Sequence, residues 1–71
     1  MTDRLIDARG MRCPWPVLRL ARAVREGCTP IVIVADDPIA PAEIAAFGAE
    51  RGLFVTPIET AIGDGFRVAS A

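Results

Sequence analysis

Two cysteines and no histidine limit the nucleophilic chemistry open to this chain. Cys13 lies in Arg12-Cys13-Pro14-Trp15-Pro16, after a segment broken by Gly10 and ahead of an amphipathic stretch. That spacing puts the thiol at the expected N-cap of a helix. A helix N-terminus carries about half a positive charge, and a cysteine there has a lowered pKa and more thiolate at neutral pH. Arg12, next to the thiol, adds positive charge. Pro14 suits the first helical turn because its missing N–H has no intrahelical partner there. Pro16 suits it less, because it disfavours helical geometry at Trp15. The two prolines make a stiff opening turn and remove two free N–H groups, leaving those of Trp15 and Val17. The thiol is expected on a rigid, partly exposed ledge that another protein can reach.

What is missing narrows the chemistry further. A cysteine hydrolase needs a base beside its thiol, usually histidine. A thioredoxin-type centre needs Cys-x-x-Cys. With only two cysteines and no histidine, a zinc site is not expected either. The reaction that remains is uptake of a sulfur atom by a nucleophilic thiol and its release, with a partner supplying other catalytic groups. A competing reading stays open on these residues alone: Cys13 as an inert buried cysteine, with prolines that only start a helix. Cys28 follows Gly27 and reads as a resolving thiol or, more simply, a small turn residue. A helix of ~12 residues between the two cysteines holds its ends ~18 Å apart, whereas a disulfide needs Cα atoms within ~7 Å. The thiols are therefore expected to be separate and reduced.

The elements that position Cys13 follow from periodicity. Arg4 to Ala8 reads as a first strand. Pro14 to Glu26 reads as a helix whose buried stripe is Val17, Leu20, Ala21 and Val24, at i, i+3, i+4 and i+7, with Gly27 as its stop. Arg19, Arg22 and Arg25 lie off that stripe, as a docking stripe or, more commonly, a solvated face. Trp15 reads equally as an exposed docking anchor or a cover for the core edge. Ile31 to Ala35 is a β-branched run, the pattern of a central strand buried on both faces or nearly so. Asp36-Asp37-Pro38 ends it as a turn with local capping. Pro41 to Arg51 reads as a second helix, with Ile44 and Phe47 facing the core and Glu43 and Glu50 on the wet side. Leu53 to Thr60 is a third strand, in which Pro57 implies an edge or a bulge. Gly63-Asp64-Gly65 reads as a turn before a fourth strand from Phe66 to Ala69. The predicted fold is an α/β (α+β) two-layer sandwich. Its order is βαβαββ, with a four-stranded mixed sheet and both helices on one face.

The whole chain, residues 1–71, reads as one domain. Eight arginines against nine acids and no lysine give a net charge of -1. That argues against a general nucleic-acid binder, which carries a basic excess. No apolar run approaches the ~20 residues of a membrane helix, and the N-terminus lacks a signal-peptide profile. A cytoplasmic protein is expected, with no membrane association.

The stretch Ile6-Asp7-Ala8-Arg9-Gly10-Met11-Arg12-Cys13-Pro14-Trp15-Pro16-Val17 resembles the Asp-x-x-Gly-Leu-x-Cys-Pro-x-Pro signature of TusA/SirA/YedF-type sulfur carriers. Ala35-Asp36-Asp37-Pro38 resembles the Asp-Pro turn that follows their second strand, and the element order and length match as well. The resemblance implies that Cys13 carries a persulfide and that no cofactor is needed beyond that covalent sulfur. It also implies two protein partners, a cysteine desulfurase or rhodanese-like donor and an acceptor. The acceptor would serve tRNA thiolation, molybdenum-cofactor or formate dehydrogenase maturation, or oxidative sulfur metabolism. Such a carrier is sulfurtransferase-like rather than a self-sufficient enzyme. Glu43-Ile44-Ala45 stands where many relatives carry aspartate followed by Ile-Pro, Gly48 where some carry a second cysteine, and Ala21 where the tRNA-thiolation member carries arginine. The alternative is a non-catalytic regulatory or protein-binding module on the same fold.

Overall fold

The computed structural model describes residues 3–70. It runs β1 (Arg4–Asp7), α1 (Trp15–Arg25), β2 (Ile31–Val34), α2 (Ala40–Arg51), β3 (Leu53–Thr60) and β4 (Gly63–Ser70). The strands form one mixed sheet in the order β1-β2-β4-β3. β1 and β2 are parallel, and β4 is antiparallel to both of its neighbours. The two-layer α+β sandwich expected from the sequence is the architecture observed.

Strand alternation divides the sheet into two faces. Ile6, Ile31, Ile33 and Val68 point to one face and are buried with Leu20, Ala21 and Ala23 of α1 and Ile44 and Phe47 of α2. The opposite face is open: Leu5 and Phe54 are 52% and 62% exposed. In α1, Leu20 and Ala21 lie at the centre of the predicted stripe, while Val17 and Val24 are half-buried at its margins. Gly52 ends α2 in the left-handed region at φ 67°, the stop its position implies. Pro57 sits on β3, which pairs only with β4, so an edge strand carries the missing N–H. No helix among the described residues is long and apolar enough to cross a membrane.

The β3–β4 connection differs from expectation. The turn is Ala61-Ile62, and Gly63-Asp64-Gly65 belongs to β4, with Thr60 paired to Gly63. The Thr60 hydroxyl closes the turn: it donates to the Gly63 carbonyl at 2.6 Å and accepts from the Ile62 N–H at 3.2 Å. Gly65 is needed for close approach instead of for turning. A Cβ there would lie 2.5 Å from the Ile33 carbonyl oxygen and 3.0 Å from a methyl of Val34.

Candidate functional site

The parallel pairing of β1 and β2 brings the starts of both helices to one edge of the sheet, because each helix follows the C-terminal end of its strand. Crevices at that edge are the usual ligand and reaction sites of open α/β sheets. The loop after β1 turns at Gly10, whose φ of 80° favours glycine. Its N–H donates to Asp36 Oδ1 at 2.9 Å. The loop after β2 answers with Asp37, whose Oδ2 accepts the Cys13 N–H at 2.6 Å while its Oδ1 accepts the Ile39 N–H at 2.9 Å. Asp37 thus ties the cysteine loop to the start of α2. Those backbone donors, with the Arg12 charge, hold its carboxyl below the usual range. The Asp-Pro turn was legible as local capping; its reach across to Cys13 was not.

Upstream, Asp7 accepts three hydrogen bonds from Arg9, two of them side-chain contacts at 2.8 Å. Arg9 also reaches the Ile62 carbonyl. Asp7 is held down at about 2, chiefly by its hydrogen bonds to Arg9. This pair fixes the root of the cysteine loop against the β3–β4 turn.

Cys13 is half-buried and free, and so is Cys28. The helix begins one residue later than expected: Pro14 occupies the N-cap, Trp15 is the first helical residue and Pro16 the second. The Cys13–Pro14 peptide is cis. The expected lowering of the thiol pKa does not hold, because burial pushes it up and the negative charges of Glu43 and Asp37 push it further. Of the four N–H positions at the helix start from Pro14 to Val17, only that of Val17 is left to oppose them. Pro14 and Pro16 have no N–H, and the Trp15 N–H is taken by the Arg12 carbonyl at 2.8 Å. Arg12 is exposed, and its charge acts on Asp37.

The other predicted residues divide by burial. Pro16 is fully buried, whereas Pro14 is exposed. Trp15 is 60% exposed, which removes the core-cover reading, and Leu18, one turn along the same side, is 49% exposed. Ile39, tied to Asp37 beside the cysteine loop, is 54% exposed. Arg19 and Arg22 share a groove with Arg4, Ala23 and Glu26, and Arg25 lies outside it. Arg22 pairs with Glu26 at 3.4 Å, and Arg4 donates to Cys28 Sγ at 3.0 Å. Cys28 is therefore engaged at the far end of α1.

Sequence reasoning missed Glu43. It was placed on the wet side with Glu50, yet it is half-buried and lines a narrow crevice with Cys13, Pro14, Pro16, Val17 and Ala40. The signal was present: an acid in the first turn of a helix that starts at the same sheet edge as the thiol.

The mixed α+β sandwich places one half-buried thiol, that of Cys13, at the shared start of its two helices. A family model described as sulfurtransferase TusA matches residues 4–69, nearly the whole chain. The chain belongs to the TusA sulfurtransferase family. Membership indicates a sulfur-carrier role in a relay that involves protein partners.

Proposed function

We propose that Cys13 is the residue that carries the sulfur, as a persulfide, and that the chain relays it from a donor protein to an acceptor protein in the cytoplasm. The observation that supports this most is the placement of Cys13 within the matched region. It is a partly exposed thiol held by its backbone N–H on Asp37, while Cys28 is engaged by Arg4 away from the helix starts. Loading is an exchange: the Cys13 sulfur attacks the outer sulfur of a donor persulfide, the donor's S–S bond breaks, and the donor cysteine leaves as a thiol. Exposed Trp15, Leu18 and Ile39 supply apolar surface beside the thiol for the partner that brings or takes the sulfur. A cysteine desulfurase or rhodanese-like donor fits this role, and tRNA thiolation is one outlet for the relay.

The test is intact-mass measurement after incubation with a cysteine desulfurase and cysteine. The chain should gain about 32 Da, removable by reductant, as a reversible cap on a reactive thiol does. Cys13→Ser should abolish the gain and Cys28→Ser should keep it. Loading that follows Cys28 overturns the assignment.

A further inference from the structure

Two carboxylates face the Cys13 thiol, and they are not equivalent. Both oxygens of Asp37 are engaged, one by the Cys13 N–H and the other by the Ile39 N–H. Among the described residues the Glu43 carboxylate is in no ion pair and no hydrogen bond; it lines the narrow crevice that holds Cys13, and its charge bears on the thiol. The rest of the crevice around it is Pro14, Pro16, Val17 and Ala40, none of which has a side chain able to accept a proton. Arg12, the nearby cation, lies by Asp37.

Resting on the reading of Cys13 as the sulfur-bearing residue, we propose that Glu43 is the proton relay of the sulfur exchange, taking the Cys13 proton as the thiol attacks and returning it to the thiolate that leaves.

The need for such a group comes from the reaction. The thiolate is the nucleophile, and leaving is easier for a thiol of lower pKa or one that is protonated as it departs. The surroundings of Cys13 favour the protonated thiol, so attack requires an acceptor for its proton within hydrogen-bond reach. In uptake, Cys13–SH, donor–S–SH and Glu43 carboxylate give Cys13–S–SH, donor thiolate and Glu43 carboxylic acid. One S–S bond breaks and one forms. Glu43 then protonates the donor thiolate and is a carboxylate again. Delivery is the same cycle with the acceptor thiol as proton source and Cys13 as leaving group. No oxidant or reductant is consumed. The two acidic neighbours also disfavour an anionic persulfide on Cys13. That shifts the outer sulfur toward its neutral form, the form an acceptor thiolate attacks.

The test compares Glu43→Gln with the unmodified protein in two reactions of Cys13. One is alkylation by iodoacetamide across pH, which reports thiolate alone. The other is sulfur uptake from glutathione persulfide at neutral pH, which needs the relay. Removing the charge should move the alkylation midpoint to lower pH and speed alkylation near neutrality. Uptake should slow by about 10²-fold, the lower range for loss of a general acid–base. Glu43→Asp, which keeps a carboxylate, should recover part of the uptake. Opposite changes in the two reactions support the relay. Uptake that stays level or rises together with alkylation overturns it and leaves Glu43 as a charge that only tunes the thiol. No uptake on Cys13 even in the unmodified protein removes the carrier assignment itself, and that outcome is told apart by needing no variant.

Discussion

Pro16→Ala separates the two things a proline can do at a helix start. Pro16 is among the fully buried side chains, and it forms part of the crevice around Cys13. Replacing its ring by a methyl removes two buried methylenes at about 0.8 kcal/mol each. The unfolded chain gains about 0.4–1 kcal/mol of freedom. Little is recovered from helix propensity, because an N–H in the first turn has no intrahelical partner. The sum is about 2–3 kcal/mol, against the ~3–5 kcal/mol that a core of this size supplies. For a domain this small each kcal/mol moves Tm by about 4–8 °C, so a fall of about 10–20 °C is expected. Circular dichroism melts read it directly, with urea unfolding as a second measure. Well below the variant's midpoint, sulfur uptake should also slow, because the surface supporting the thiol has lost its packing. A Tm within about 3 °C of the parent, well short of the expected fall, would refute the claim that Pro16 is a packing element of the ledge.

Other expectations follow from the same geometry. Gly65→Ala forces a Cβ to within 2.5 Å of the Ile33 carbonyl, and overpacking of this kind costs about 1–3 kcal/mol, measurable as a lower urea midpoint. Trp15→Ala should weaken binding to a protein donor about tenfold or more, since truncating an interface anchor costs about 2 kcal/mol. Loading from a small persulfide should be unchanged; equal loss with both donors contradicts a docking role. Reversing Arg19 and Arg22 to Glu should slow transfer from a protein donor at low salt and leave chemical loading intact, because rim charges act mainly on association. A transfer rate that does not change at low salt returns them to a solvated face. Asp7 should titrate at about 2 by carboxyl chemical shift. Its folded pKa lies below the unfolded one, so its stabilising contribution is present above the unfolded value and is lost as pH falls through about 2. Arg9→Ala should bring the midpoint back up.

The order of elements was legible because the periodicities were unambiguous: β-branched Ile31-Val32-Ile33-Val34 for a central strand, and the 3-4-7 spacing around Leu20 for a helix. The β3–β4 turn was misplaced because a glycine serves two purposes with one residue type. Gly63-Asp64-Gly65 has the composition of a turn, yet Gly65 answers the close approach of β2. Cys13 was found from local spacing, since a cysteine followed by Pro-x-Pro announces a helix start. Its charge environment was misjudged because local spacing reports the helix dipole and not what the neighbouring loop brings. Asp37 and Glu43 are distant from Cys13 in sequence and brought to it in space through the parallel β1–β2 pairing. One aromatic at a helix start fits both surface and core in the sequence, and only the exposure of Trp15 in the fold separates the two.

The claim that this chain is a carrier is tested most directly by following one labelled sulfur atom. The protein is loaded with radioactive sulfur from a desulfurase, freed from that donor, and mixed with an acceptor protein bearing a single reactive thiol. The account predicts that the label starts on Cys13, leaves it, and appears on the acceptor thiol, with Cys28→Ser behaving as the parent and Cys13→Ser never labelled. Label that stays on the chain in the presence of acceptor, or that loads and moves in Cys13→Ser, contradicts it.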